Sequence, residues 1–153
     1  MNKSRTAVGL VHNVAKMLTV CDERTKALIL LLASSGVRIG AIPSMKLKHF
    51  TNLGMVNLHC YQISVYDGEY ITFCTPEASK AFHEYFDYRQ RCGEKLGPNS
   101  LITREQFERD DLLKVRNPRS ISLLTIRSLI YETLIKAGIT QREHRTEVSH
   151  QLL

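Results

Sequence analysis

Residues 33–40 read Ala33-Ser34-Ser35-Gly36-Val37-Arg38-Ile39-Gly40, and Ala41-Ile42-Pro43-Ser44-Met45-Lys46 follow. Upstream, Leu28 to Leu32 are all apolar, the composition of a helix buried on every side at the centre of a domain. Asp22 is a good N-cap for that helix, and Glu23 places a negative charge in its first turn. Gly36 is its expected stop, because glycine enters the left-handed region without a Cβ penalty. An arginine thus stands two residues beyond the end of a buried helix. A short helix is expected from about Ile39, with Pro43 in its first turn, where a missing N–H costs nothing. A cation is unfavourable at the positive end of a helix. Arg38 is therefore an odd residue there unless an anion meets it. Lys46, Lys48 and His49 come just after.

Upstream of this stretch, Val8, Val11, Val14 and Leu18, with Leu10 and Met17 beside them, recur at helical spacing and predict a first amphipathic helix. Downstream the period changes to two. Tyr61, Ile63 and Val65, then Ile71 and Phe73, alternate with polar residues and predict a β-hairpin around Asp67-Gly68. A two-residue loop pairs Val65 with Tyr70 and splits the apolar face. A three-residue loop, Asp67 to Glu69, pairs Val65 with Ile71 and Ile63 with Phe73. The apolar pattern favours the second register, since a one-residue slip turns a strand over. Thr75-Pro76-Glu77 opens another helix, with threonine as cap and proline at the first position. Ala78, Ala81, Phe82, Tyr85 and Phe86 lie on one side of it, and Gly93 ends it. Residues 93–100 have loop composition. Residues 104–119 carry charges of both signs and predict a short helix and a loop. A last helix covers roughly Ser122 to Ala137, and Gly138 caps it. The fold class is mainly α with a small antiparallel β-hairpin, in a single domain over 1–153.

With 43% hydrophobic and 24% charged residues, the chain has an ordinary globular composition, which excludes a disordered protein. The net charge of +6 favours a polyanionic partner, nucleic acid ahead of an anionic membrane. Cys21, Cys60, Cys74 and Cys92 show no C-x-x-C spacing. They are expected to be buried free thiols, which suits a reducing cytosol. The start of the chain is polar, without the apolar core of a signal peptide. The longest apolar run, Ala27 to Ala33, is too short to span a bilayer. No membrane partner is expected and the location is cytoplasmic. His12, His49, His59, His83 and His144 have no metal-ligand spacing, so no metal is expected.

The stretch around Gly36-Val37-Arg38-Ile39-Gly40, followed by a hairpin, a Thr-Pro-Glu helix and DYRQRCGEKLGPNSLITRE, resembles the catalytic domain of tyrosine recombinases, the phage-integrase family. It looks most like the integrases of archaeal mobile elements. The likeness runs from about Thr25 to Gly138. It implies double-stranded DNA as partner, strand breakage and rejoining as activity, no cofactor, and assembly of copies on DNA, since the family forms tetrameric synapses. In the family a tyrosine attacks a phosphodiester, and fixed cations meet the charge of the transition state. Arginine suits this because its planar fork donates two parallel hydrogen bonds and stays charged. By resemblance Arg38 is the first of the two arginines that hold the scissile phosphate. Lys46, Lys48 and His49 are placed to touch DNA backbone.

The pattern also departs from the family. Neither hairpin strand carries the lysine that protonates the leaving oxygen. His150 fits the first position of the second box, H/K-x-x-R, as a catalytic residue, but the arginine position falls on Leu153. The nucleophilic tyrosine is not at hand. Tyr131 lies mid-helix and is expected to pack. The chain is thus expected to be a recombinase domain cut short at its C-terminus. The helix over Ser122–Ala137 is then expected to leave apolar surface uncovered. A DNA-binding or regulatory helical module without chemistry is the alternative.

Overall fold

The computed structural model describes residues 3–52, 61–107 and 116–141. Helix α1 spans Lys3–Leu18 and α2 spans Glu23–Ser35. Two 3-10 turns follow, Ile39–Ser44 and Leu47–His49. Strands β1 (Phe50–Asn52), β2 (Tyr61–Val65) and β3 (Tyr70–Phe73) form one antiparallel sheet in the order β1-β2-β3. Helix α3 is Pro76–Arg91 and α4 is Leu123–Lys136. The architecture is mainly helical with a small sheet, as expected, but the hairpin gains a third strand, β1.

The helix ends follow from local chemistry. Asp22 accepts the Thr25 N–H at 2.8 Å, and Gly36 closes α2 at φ +66°. Thr75 accepts the Ala78 N–H at 3.4 Å, with Pro76 at the start of α3. Ser122 caps α4 by accepting the Thr125 N–H at 3.1 Å. Each of the three N-caps, Asp22, Thr75 and Ser122, satisfies a donor that helix geometry leaves without a partner.

The core joins α2, α3, the sheet and α4. Ala27, Leu28 and Leu31 of α2 meet Ala78, Ala81, Phe82 and Tyr85 of α3, and Ile63, Val65 and Ile126 close around them. Phe50 of β1 packs on Phe82, ring centroids 5.7 Å apart. Helix α2 is central but not buried all round, since Leu30 and Leu32 are half-buried and Ala33 is exposed. In α1, Met17 is buried while Val11 lies open to solvent. Helix α4 buries Ile126 and Thr133 but leaves Leu123, Leu124 and Tyr131 exposed. Tyr131 is thus a surface residue and not the packing residue its position suggested.

The hairpin adopts the register that the apolar pattern disfavoured. Val65 pairs with Tyr70, Ser64 with Ile71, Ile63 with Thr72 and Gln62 with Phe73. Ile63 and Val65 are fully buried, whereas Ile71 and Phe73 are 56% and 53% exposed. The physical reason lies on β3. The Thr72 hydroxyl donates to the Ser35 carbonyl at 2.6 Å, so Thr72, and not its apolar neighbours, turns toward the end of α2.

The thiols also differ from expectation. Cys74 is buried, but Cys21 and Cys92 are only half-buried. Cys60 lies outside the described residues. Burial and the neighbouring Asp22 carboxylate push the Cys21 thiol above its ordinary pKa. Among the described residues no helix is long and apolar enough to cross a membrane.

Candidate nucleic-acid interface

The backbone around Arg38 is held from both sides. The Ser35 hydroxyl donates back to the Leu31 carbonyl at 2.6 Å and accepts the Val37 N–H at 3.2 Å. Val37 on one side and Ala41 and Ile42 on the other are buried. The Arg38 carbonyl accepts the Ala41 N–H at 2.9 Å. Between these anchors Arg38 is extended, φ −68° and ψ 137°, and its side chain is exposed. No hydrogen bond or ion pair to it is found among the described residues. A fixed backbone thus presents a charged fork that no carboxylate among the described residues neutralises.

The turn after Arg38 is a 3-10 helix, Ile39–Ser44, with Pro43 inside it and not in its first turn. A 3-10 turn tolerates this in a short piece because only one backbone bond is lost. The Pro43 carbonyl accepts from the Ser120 hydroxyl, which ties the turn to the entry of α4.

Lys46, Lys48 and His49 are positioned by a second set of backbone bonds. Ile102 donates to the Met45 carbonyl and Leu47 to the Ser100 carbonyl, each at 2.9 Å, and Lys48 donates to the Pro98 carbonyl at 2.8 Å. Lys48 is exposed, and Lys46 and His49 are half-exposed. The Lys46 N–H donates to His49 Nδ1 at 3.0 Å. That nitrogen must therefore be the unprotonated one, so the ring proton of neutral His49 is on Nε2. His150, the other residue expected at the site, lies outside the described residues.

The segment 94–107 that anchors the lysines is fixed by buried charge. Arg89 Nη2 and Nε donate to Glu94 Oε1 and Oε2 at 2.6 and 2.8 Å. Arg89 Nη1 also donates to the Leu101 carbonyl at 2.7 Å. Arg104 Nη1 approaches Glu94 Oε2 at 3.2 Å. The Arg24 guanidinium lies 5.5 Å from the Phe107 ring centroid and donates to the Arg104 carbonyl at 3.3 Å and to the Glu105 carbonyl. Tyr85 is enclosed here, its hydroxyl accepting the Arg104 N–H at 3.3 Å. Burial pushes its phenol above the ordinary pKa, against the pull of the nearby arginines.

Sequence reasoning missed this cluster and read residues 104–119 only as a mixed-sign short helix and loop. A signal existed for Arg89. It continues the buried series Ala78, Ala81, Phe82, Tyr85 at the next helical step. Nothing local marks Arg104, whose partner Glu94 reaches it only through the fold.

The hairpin tip borders the Arg38 turn. Tyr66 has φ +50°, and its hydroxyl lies 3.9 Å from the point where a Cβ on Gly40 would stand. A hollow of about 180 Å³ opens beside it, lined by Ser44, Met45, His49, Ser64 and Tyr66. Arg38, the 3-10 turn, His49 and the hairpin tip therefore belong to one surface region.

No protein-family model matches the chain, and none of the curated proteins does. Among solved structures, the crystal structure of XerA recombinase is similar, with a TM-score of 0.63 and 21% sequence identity. The match covers 85% of this chain and 42% of that one. The chain therefore shares its fold with XerA recombinase and spans less than half of its length.

Proposed function

We propose that this chain is the DNA-holding part of a tyrosine-recombinase catalytic domain, with Arg38 as a ligand to a phosphodiester of double-stranded DNA. The observation that carries the reading is Arg38 itself: exposed, unpaired among the described residues, and fixed at the end of α2 in a fold shared with XerA recombinase. Lys46 and Lys48, which follow the same 3-10 turn, add further positive charge. Such contacts place a protein on the duplex without reading its sequence. The net charge of +6 favours the encounter. In the parent family the same arginine stabilises the charge that develops on the phosphate during strand breakage and rejoining, in a synapse of several copies.

One observation favours a second reading, DNA binding without cleavage. Neither β2 nor β3 contains a lysine, so the proton donor of the family's hairpin is not at its usual place.

The test is fluorescence anisotropy with a labelled duplex at several salt concentrations. Arg38→Ala is expected to weaken binding about ten-fold or more, the size of a lost charge-assisted hydrogen bond, with the fold intact by circular dichroism. Equal binding by the variant and the parent chain would remove Arg38 from the interface. A nicked duplex that traps a covalent intermediate separates the two readings: an adduct supports the enzyme, and binding without an adduct supports the silent module.

A further inference from the structure

We infer that the Tyr66 hydroxyl is a second hydrogen-bond donor to the DNA strand held by Arg38, with the hollow beside it as the seat of that strand's sugar-phosphate. The inference rests on the DNA reading above and goes beyond it by assigning the hairpin tip.

Tyr66 is the one non-glycine residue with positive φ among the described residues. A bulky side chain seldom adopts that conformation, because Cβ crowds the backbone. The ring is nonetheless held in place. It meets Tyr70 edge to face, centroids 6.3 Å apart, and it flanks the 3-10 turn. One end of the turn, Ser44, lines the same hollow as Tyr66. The other end, Gly40, lies under the Tyr66 hydroxyl. Gly40 is two residues along the chain from Arg38, so the phenol borders the turn that the arginine opens.

No hydrogen bond from the Tyr66 hydroxyl is found among the described residues. A phenol is both donor and acceptor and donates well to phosphate oxygens. The hollow is also lined by the Ser64 hydroxyl, the His49 edge and Ser44, whose hydroxyl donates to the Ala41 carbonyl at 3.1 Å. At roughly 30 Å³ per water it holds about six waters, so a phosphate group fits there by displacing part of that water. Among the described residues no carboxylate lines it, although Glu69, in the same hairpin turn, is exposed. Hydroxyls and an imidazole suit an anionic backbone.

The test is an NMR titration of the chain with a short self-complementary DNA duplex, following the Arg38 Nε–Hε signal and the ¹³C-labelled tyrosine rings together. Expected are movement of both Arg38 and Tyr66 with one dissociation constant, and about ten-fold weaker binding by Tyr66→Phe with an unchanged melting temperature. If Arg38 moves while Tyr66 stays still and Tyr66→Phe binds as the parent chain does, the inference falls and the DNA reading stands. If neither signal moves, both fall.

Discussion

Arg89 and Glu94 meet through two parallel hydrogen bonds of 2.6 and 2.8 Å, with side chains 0% and 5% exposed. Glu94 is also the partner of buried Arg104. One carboxylate therefore offsets two buried guanidinium groups. Removing a single member of such a set leaves uncompensated charge in low dielectric, which costs about 3–5 kcal/mol. Glu94→Ala is expected to lose that much in urea denaturation, a large share of a typical domain's stability. A loss under about 1 kcal/mol, the range of an exposed pair, would show that water reaches the cluster.

Tyr85 links the same cluster to alkaline pH. Its folded pKa is raised above 10.0 by burial, so the folded state keeps the phenolic proton longer than the unfolded chain does. The associated stability is fully present below pH 10.0 and declines as pH rises from there through the raised folded value. Tyr85→Phe is expected to flatten that alkaline decline, at a cost of about 1 kcal/mol for the lost hydrogen bond at neutral pH. An unchanged alkaline slope would assign the decline to other groups.

The strand register has a direct mutational signature. Ile71 and Phe73 face solvent and Ile63 is wholly buried. Ile71→Lys is expected to shift stability by no more than about 0.5 kcal/mol, as surface substitutions do. Ile63→Ala is expected to cost about 2–5 kcal/mol, a transfer loss plus a cavity. Thermal unfolding of both variants decides the matter, and a severe effect of Ile71→Lys would restore the alternative pairing.

Lys48 is exposed. Lys48→Ala is expected to leave the melting temperature in place, to weaken binding alike on all DNA sequences, and to reduce the log–log salt slope by about 1. A variant with the parent slope would place Lys48 off the DNA.

What the sequence revealed was chiefly what is local. Asp22, Gly36, Thr75 and Ser122 act on helix ends a few residues away, so composition and spacing sufficed to place them. The mainly helical fold with a small sheet followed from the same periodicities. Strand β1 escaped because only Phe50 of Phe50-Thr51-Asn52 is apolar. The register escaped because alternation says which residues share a face but not which face a neighbouring element claims, and the Thr72–Ser35 hydrogen bond decides that. The candidate site was legible at Arg38 only as an expectation, through its odd place after a glycine-closed helix. Tyr66 was not, since neither its positive φ nor the approach of its hydroxyl to Gly40 has a signature in the chain. His150 stays outside the described residues.

The Thr72–Ser35 bond also has a mechanical meaning. It fastens the strand leaving the hairpin tip to the last residue of α2, immediately before the glycine that leads into Arg38. Hairpin and arginine thereby share one mooring, the last residue of α2, which lies three residues of backbone before Arg38.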